Sequence, residues 1–371
     1  MRLLWHRTLI GPQRVVCVAV LCALAAAACT SGDGAAGTTV RPTSSAAVAE
    51  APALETSQEA APSTSASASD DCLPDADVVG SHGRHRLASG GNEYEYLLYV
   101  PASAWGSAPA PLVVNFHGLG GDGPGQAAYT GYVDLADDEG FVVVHPSGLG
   151  DNDWGGVRSW ELAHSDTSSR DDVQFVGDLI DRVSEQACID ESRVYATGFS
   201  NGGYFSAYLA CTLADQIAAT FSVGGISHPA GCQPSRPVAM AAVHGTDDEV
   251  VPFDDRRESV LLQGVQIEGE KARELEAFFA EIIPDELAEF AAAFGCAVVT
   301  ESELDSTTSL TSYTDCDGGV ELRFYAVEGL GHVWPGSSWE KGNSKNGGGS
   351  DAGISATADG WAFMSQYSLN Q

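Results

Sequence analysis

From residue 94 onward, apolar residues gather into short continuous runs separated by longer stretches of helical period. Tyr94–Val100 reads as a strand stopped by Pro101, and Pro111–Phe116 and Phe141–His145 as strands apolar almost throughout. Val194–Thr197, Ala219–Gly224, Val238–Val243 and Glu321–Val327 give four more. Helical spacing covers 125–138, then a stretch from an Asp171 or Asp172 cap to Gln186, then Tyr204–Leu213, roughly 269–294, and a closing 358–368. Apolar runs without alternation belong to strands covered on both faces. The pattern therefore predicts an α/β fold, a mostly parallel central sheet with helices on both faces. Ligands of such sheets sit beyond the carboxyl ends of the strands, so the loops that follow these runs are where chemistry is expected.

The N-terminal part has a different texture. Arg2, Arg7 and Arg14 precede an uncharged run, Val15 to Ala28, which is shorter than the roughly 20 residues a membrane span needs. Residues 1–28 read as a secretory signal. Ala26-Ala27-Ala28-Cys29 resembles a bacterial lipobox, with Ala26 where leucine is usual. It predicts lipidation of Cys29 and anchoring to the cell envelope, with plain cleavage at an A-x-A sequence as the alternative. Residues 29–70 are mostly Ala, Ser, Thr, Pro and Gly and hold too little apolar surface to fold, so they read as a disordered tether. Residues 71–371 suit one sizeable domain.

Charge and cysteine content narrow the partners. The formal charge is −33, and the three arginines of the signal leave with it. Such a chain is unsuited to nucleic acid, whose phosphates require a cationic face, and to anionic lipid. Membrane contact is expected only through the N-terminal lipid. Of nine cysteines, Cys17, Cys22 and Cys29 fall in or beside the signal. Cys72, Cys188, Cys211, Cys232, Cys296 and Cys316 remain, an even number that favours disulfides outside the cytoplasm. Cys296 and Cys316 are expected to bridge a local excursion, and Cys232 to pair with Cys188 or Cys211. No spacing suggests a metal site, no cofactor is implied, and the sequence sets no oligomeric state.

Three strand-end loops carry the chemistry. The strand Val194–Thr197 runs into Gly198-Phe199-Ser200-Asn201-Gly202, and a helix follows. In a chain with 42 glycines, G-x-S-x-G alone is weak evidence. The strand before it and the helix after it make it a nucleophile elbow, with Ser200 lifted from the sheet. After Pro111–Phe116 comes His117-Gly118-Leu119-Gly120-Gly121, a turn suited to present backbone N–H groups. Asn201 and Leu119 are the expected oxyanion donors. After Val238–Val243 comes His244-Gly245-Thr246-Asp247-Asp248, where either aspartate fits a triad acid and Asp254 fits less well. After Glu321–Val327 comes Gly329-Leu330-Gly331-His332-Val333-Trp334, placing a histidine last. The order Ser, Asp, His is that of an α/β hydrolase. His332 would take the Ser200 proton and return it to the leaving alkoxide.

These motifs resemble the secreted esterase family of polyhydroxybutyrate depolymerases and feruloyl and acetylxylan esterases, over about residues 85–365. The resemblance implies Ser200 as nucleophile, His332 as base and Asp248, rather than Asp247, as acid. It implies an ester substrate, either a polyester oligomer or a feruloyl or acetyl group on polysaccharide, with Trp334 and His117 beside it. Trp154 and Trp160 are further candidates for the cleft border. Phe253, Leu330 and Val333 depart from the family pattern. The acid-to-histidine interval is longer than the family's. The excess, residues 255–290, is acidic and reads as a solvated surface helix rather than a lid, which would show a larger apolar face. The alternative of another class is a catalytically silent envelope binding protein with the same fold.

Overall fold

The computed structural model describes residues 79–80, 82–104, 108–151, 156–162, 170–254, 259–260, 282–337 and 353–370. All lie in the compact unit Ala68–Gln371. The signal, the tether, Cys29, Cys72 and Trp154 are outside the described residues, as are residues 261–281 of the acidic stretch.

Among the described residues, ten strands form one sheet. They are β1 (Gly83–Ser89), β2 (Asn92–Tyr99), β3 (Ala110–Phe116), β4 (Val142–Ser147), β7 (Ile189–Phe199), β8 (Ala219–Val223), β9 (Ala239–Gly245), β10 (Val298–Glu303), β11 (Thr308–Thr314) and β12 (Leu322–Val327). A separate small hairpin pairs β5 (Leu149–Asp151) with β6 (Val157–Ser159). The sheet order is β1-β2-β4-β3-β7-β8-β9-β12-β11-β10. The six central strands, β4 to β12 in that order, are mutually parallel, and an antiparallel pair is added at each edge. Every residue of β3, β4, β8 and β9 is buried, which is why their runs carry no alternation.

The helices are α1 (Gly123–Thr130), α2 (Tyr132–Glu139), α3 (Asp172–Gln186), α4 (Asn201–Thr212), α5 (Ile283–Ala293) and α6 (Ala356–Met364). Ring contacts sort four of them into two groups. Phe175 of α3 and Phe205 of α4 both stack on Trp160, whereas Tyr132 of α2 and Trp361 of α6 both pack on Phe141. The stretch 125–138 is two helices rather than one, because Gly131 takes φ +72° and caps α1. Of the acidic stretch, residues 259–260 and the start of α5 are described, and α5 is amphipathic, with Asp285 and Glu289 exposed. It buries Ile283, Leu287, Phe290 and Ala291 in the core. At its start, the Ile283 N–H donates to Phe253 O at 3.2 Å.

Disulfides join Cys211 to Cys232 and Cys296 to Cys316, resolving the open choice for Cys232. Cys188 is disulfide-bonded as well.

His145 of β4 is fully buried, and among the described residues neither ring nitrogen has a partner. Burial pushes its pKa down to about 3, so the folded protein keeps it neutral. Below pH ~6.5 the unfolded chain takes up a proton that the folded chain refuses, and stability falls as pH drops from ~6.5 toward the folded value. We expect His145→Phe to lose about 2 kcal/mol less stability than the parent between pH 7 and pH 5, measured by urea unfolding at both values.

Candidate active site

Ser200 stands between β7 and α4 with φ 55° and ψ −119°. For a residue with a Cβ this backbone costs about 1–3 kcal/mol and must be imposed by its surroundings. The Ser200 N–H donates to Val223 O at 2.8 Å, and Ser200 O accepts from the Tyr204 N–H at 3.0 Å. The glycines on either side are required by close approach. A Cβ on Gly198 would lie 2.8 Å from Phe116 O, and one on Gly202 would lie 2.7 Å from His117 O. Side chains here would force β3 and the start of α4 apart.

The glycine-rich loop that follows β3 reaches the same point. A Cβ on Gly118 would lie 3.2 Å from Ser200 Cβ. Among the described residues, the N–H groups of Leu119 and Asn201 have no hydrogen-bond partner. Two unsatisfied donors beside an elbow serine are suited to a developing oxyanion.

Asp248 follows β9 and is fully buried. Its Oδ1 accepts from the N–H groups of Val250 and Val251, both at 2.8 Å. Its Oδ2 lies 2.6 Å from His332 Nδ1 and 3.4 Å from His244 Nε2. Burial alone would raise its pKa. The His332 and His244 imidazoles and the Val251 N–H outweigh burial and hold the carboxyl below its ordinary value. Asp247 instead uses its N–H to bond Leu330 O at 2.9 Å. His332 follows β12, and its ring lies 4.6 Å from that of Phe199. His332 and Ser200 share one wall, the glycine pair after β8. A Cβ on Gly224 would lie 3.4 Å from His332 Cε1, and one on Gly225 would lie 2.8 Å from Ser200 O.

Three expectations for the cleft need correction. His117 is buried with both ring nitrogens engaged, Nδ1 with Gly118 O at 2.7 Å and Nε2 with the Gly148 N–H at 2.9 Å. Burial pushes its pKa down to about 4, so it is a neutral bracket inside the protein rather than a substrate contact. Trp334 is fully buried. Its indole N–H donates to Thr357 Oγ1 at 2.9 Å, and its ring packs against Tyr132. Trp160 is 2% exposed and belongs to the core beneath the loops.

Sequence reading missed other residues. The Asn201 side chain grips the Trp160 backbone, with Oδ1 accepting from the N–H at 2.6 Å and Nδ2 donating to the carbonyl at 3.2 Å. The buried His244 bonds Val251 O at 2.9 Å and supports the turn that holds Asp248. Half-buried Phe199 and Tyr129 meet edge to face beside His332. Only the asparagine directly after the serine gave a signal in the sequence. Among the described residues, no group of three or more His, Cys, Asp or Glu side chains is placed to hold a metal ion.

Six parallel strands with an elbow serine after the third, an acid after the fifth and a histidine after the sixth decide the fold. The chain is an α/β hydrolase by fold. Residues 103–278 of this α/β hydrolase match the phospholipase/carboxylesterase family model, a segment that includes Ser200 and Asp248. The chain is 28% identical over 236 residues to a bifunctional acetylxylan esterase/xylanase of Neocallimastix patriciarum, covering 63% of this chain and 30% of that protein. It is 28% identical over 278 residues to feruloyl esterase B of Piromyces equi, covering 74% and 45%. It thus spans less than half the length of these two relatives. An acetyl xylan esterase structure from Aspergillus awamori aligns with TM-score 0.48 and 17% identity, over 68% of this chain and 95% of that one. The likeness to feruloyl and acetylxylan esterases read from the motifs is thereby borne out.

The 2.6 Å contact between His332 Nδ1 and Asp248 Oδ2 should give an exchangeable proton far downfield in the NMR spectrum. We expect that resonance to vanish in Asp248→Ala and to persist in Asp247→Ala.

Proposed function

We propose that this chain is a serine carboxylic ester hydrolase using Ser200, His332 and Asp248, with Asn201 and Leu119 as oxyanion donors. The observation that carries the reading is the strained Ser200 backbone set against Gly118, with the His332–Asp248 pair across Gly224. His332 takes the Ser200 proton as Oγ attacks the ester carbonyl, and the two N–H groups receive the oxyanion. Collapse of the tetrahedral adduct breaks the C–O bond, and His332 protonates the leaving alkoxide. A water that gives its proton to His332 then cleaves the acyl-enzyme. Asp248 holds the imidazole in the Nδ1–H tautomer and stabilises the imidazolium.

The substrate class we propose is a feruloyl or acetyl ester of polysaccharide, with polyester oligomers as the second reading. The relatives are named for acetylxylan and feruloyl esters, whereas the polyester reading rests on the motif likeness alone. Disulfides Cys211–Cys232 and Cys296–Cys316 support an oxidising compartment outside the cytoplasm. Anchoring through a lipid on Cys29 belongs to the same proposal, as does the division into signal, tether and catalytic domain.

The test compares p-nitrophenyl acetate, methyl ferulate and a 3-hydroxybutyrate oligomer as substrates of the full chain and of Ser200→Ala. We expect turnover of the first two, a fall of about 10⁴-fold or more in kcat for Ser200→Ala, and fluorophosphonate labelling of Ser200 only in the parent. Preference for the oligomer would move the assignment to polyester. Folded protein with neither turnover nor labelling would establish the silent binding protein instead.

A further inference from the structure

The β5–β6 hairpin lies outside the main sheet, yet it touches both halves of the oxyanion site. On one side, Trp160 directly after β6 is gripped through its backbone by the Asn201 side chain, at 2.6 and 3.2 Å. On the other side, the Trp160 indole N–H donates to His117 O at 2.9 Å. The Gly120 N–H donates to Arg158 O at 2.8 Å. These last two bonds bracket Gly118 and Leu119 from either end. One residue thus spans from the backbone that carries the Asn201 N–H to the loop that carries the Leu119 N–H.

The span is rigid. The Trp160 ring lies face to face with Phe205 of α4 at 5.3 Å and edge-on to Phe116 of β3 at 5.1 Å. Its chain neighbours are tied down as well. Arg170 Nη2 donates to Ser159 O at 3.3 Å and to Ser159 Oγ at 3.1 Å, and Arg170 Nη1 donates to Leu149 O at 3.0 Å. The Glu161 N–H donates to Asp172 Oδ2 at 2.8 Å, and Asp172 also pairs with Arg170 at 3.3 Å and accepts from the Tyr94 hydroxyl at 2.8 Å. The His117 ring adds a third tie through the Gly148 N–H next to β5. A core tryptophan needs one partner for its N–H and no more. This one spends its backbone and its indole on the two segments whose separation sets the geometry of the oxyanion hole.

We propose that Trp160 is the positioning residue of the oxyanion hole, fixing the distance between the Leu119 and Asn201 N–H groups. This rests on the esterase reading above. An oxyanion hole works by donors placed before the reaction, and small misplacements are costly in rate. Trp160→Phe keeps an aromatic ring against Phe205 and removes only the bond to His117 O. Asn201→Ala keeps its own N–H and releases the Trp160 backbone.

Two measurements test the proposal. The first is kcat and KM on an ester and on its thionoester, whose sulfur is a poor hydrogen-bond acceptor and gains little from the hole. In both variants we expect kcat on the ester to fall about 10- to 100-fold with KM within about twofold, and a much smaller fall on the thionoester. The second uses amide NMR resonances in protein labelled at Leu, Asn and Tyr. We expect the Leu119 and Asn201 signals to shift in Trp160→Phe while Tyr204, in the same helix as Asn201, stays in place. Equal losses on ester and thionoester, or unmoved Leu119 and Asn201 signals, would overturn the positioning role. Absence of any Ser200-dependent turnover in the parent would overturn the esterase reading, and the amide signals would still decide whether Trp160 sets the donors. If Trp160→Phe does not fold, Asn201→Ala gives the same two readouts.

Discussion

The C-terminal end of β3 and the first turn of α4 are in backbone-to-backbone contact, and the rest of the site depends on that approach. The Phe116 and His117 carbonyls press on Gly202, and the Phe116 carbonyl presses on Gly198, where no side chain fits. This contact brings the strand that feeds the His117–Gly121 loop level with Ser200. Ser200 beside it takes a left-handed backbone, and among the described residues the N–H groups of Leu119 and Asn201 have no partner. The strain at Ser200 is small beside the burial of β3, β7, β8 and α4 around it, so the core sustains it readily.

Asp248 and His332 are placed by a different device. Among the described residues, the buried Asp248 pairs with histidines and with no arginine or lysine. Its charge is met by two backbone N–H groups of its own turn and by two imidazoles. A carboxylate held this way has its orientation set before the imidazole is charged. Its Oδ2 faces the His332 ring directly.

Much of this was legible in the sequence, for identifiable reasons. Strands buried on both faces announce themselves as unbroken apolar runs, and β3, β4, β8 and β9 were found that way. The motif loops were legible because each follows such a run. Strands β1, β10 and β11 were not, since they lie in the outer antiparallel part of the sheet and, of their residues, only Ser89 and Thr308 are buried. β10 is exposed along its entire length. The hairpin β5–β6 was missed because three-residue strands leave no periodicity. Aromatic residues near the motifs were misjudged as a class. His117, Trp160 and Trp334 all satisfy their ring N–H or nitrogens internally, and composition cannot distinguish such a residue from one that faces a cleft. Half-buried Phe199, within the elbow itself, is the aromatic side chain that does reach His332.

The closure between Ile283 and Phe253 bears on how this chain came to be longer than its motifs require. The acid turn is complete by Val251, where the second of its N–H groups bonds Asp248, and the main chain returns to the core at Ile283 beside Phe253. Ser259 and Val260 bond back to Val250 and Glu249, so the chain leaves at Val260 and returns at Ile283 through one narrow neck beside this turn. The entropy of closing a loop rises only slowly with its length. Sequence can therefore be gained or lost at this point in evolution as a cassette, without shifting Asp248 toward or away from His332. The same neck is a natural port for grafting foreign sequence onto this scaffold.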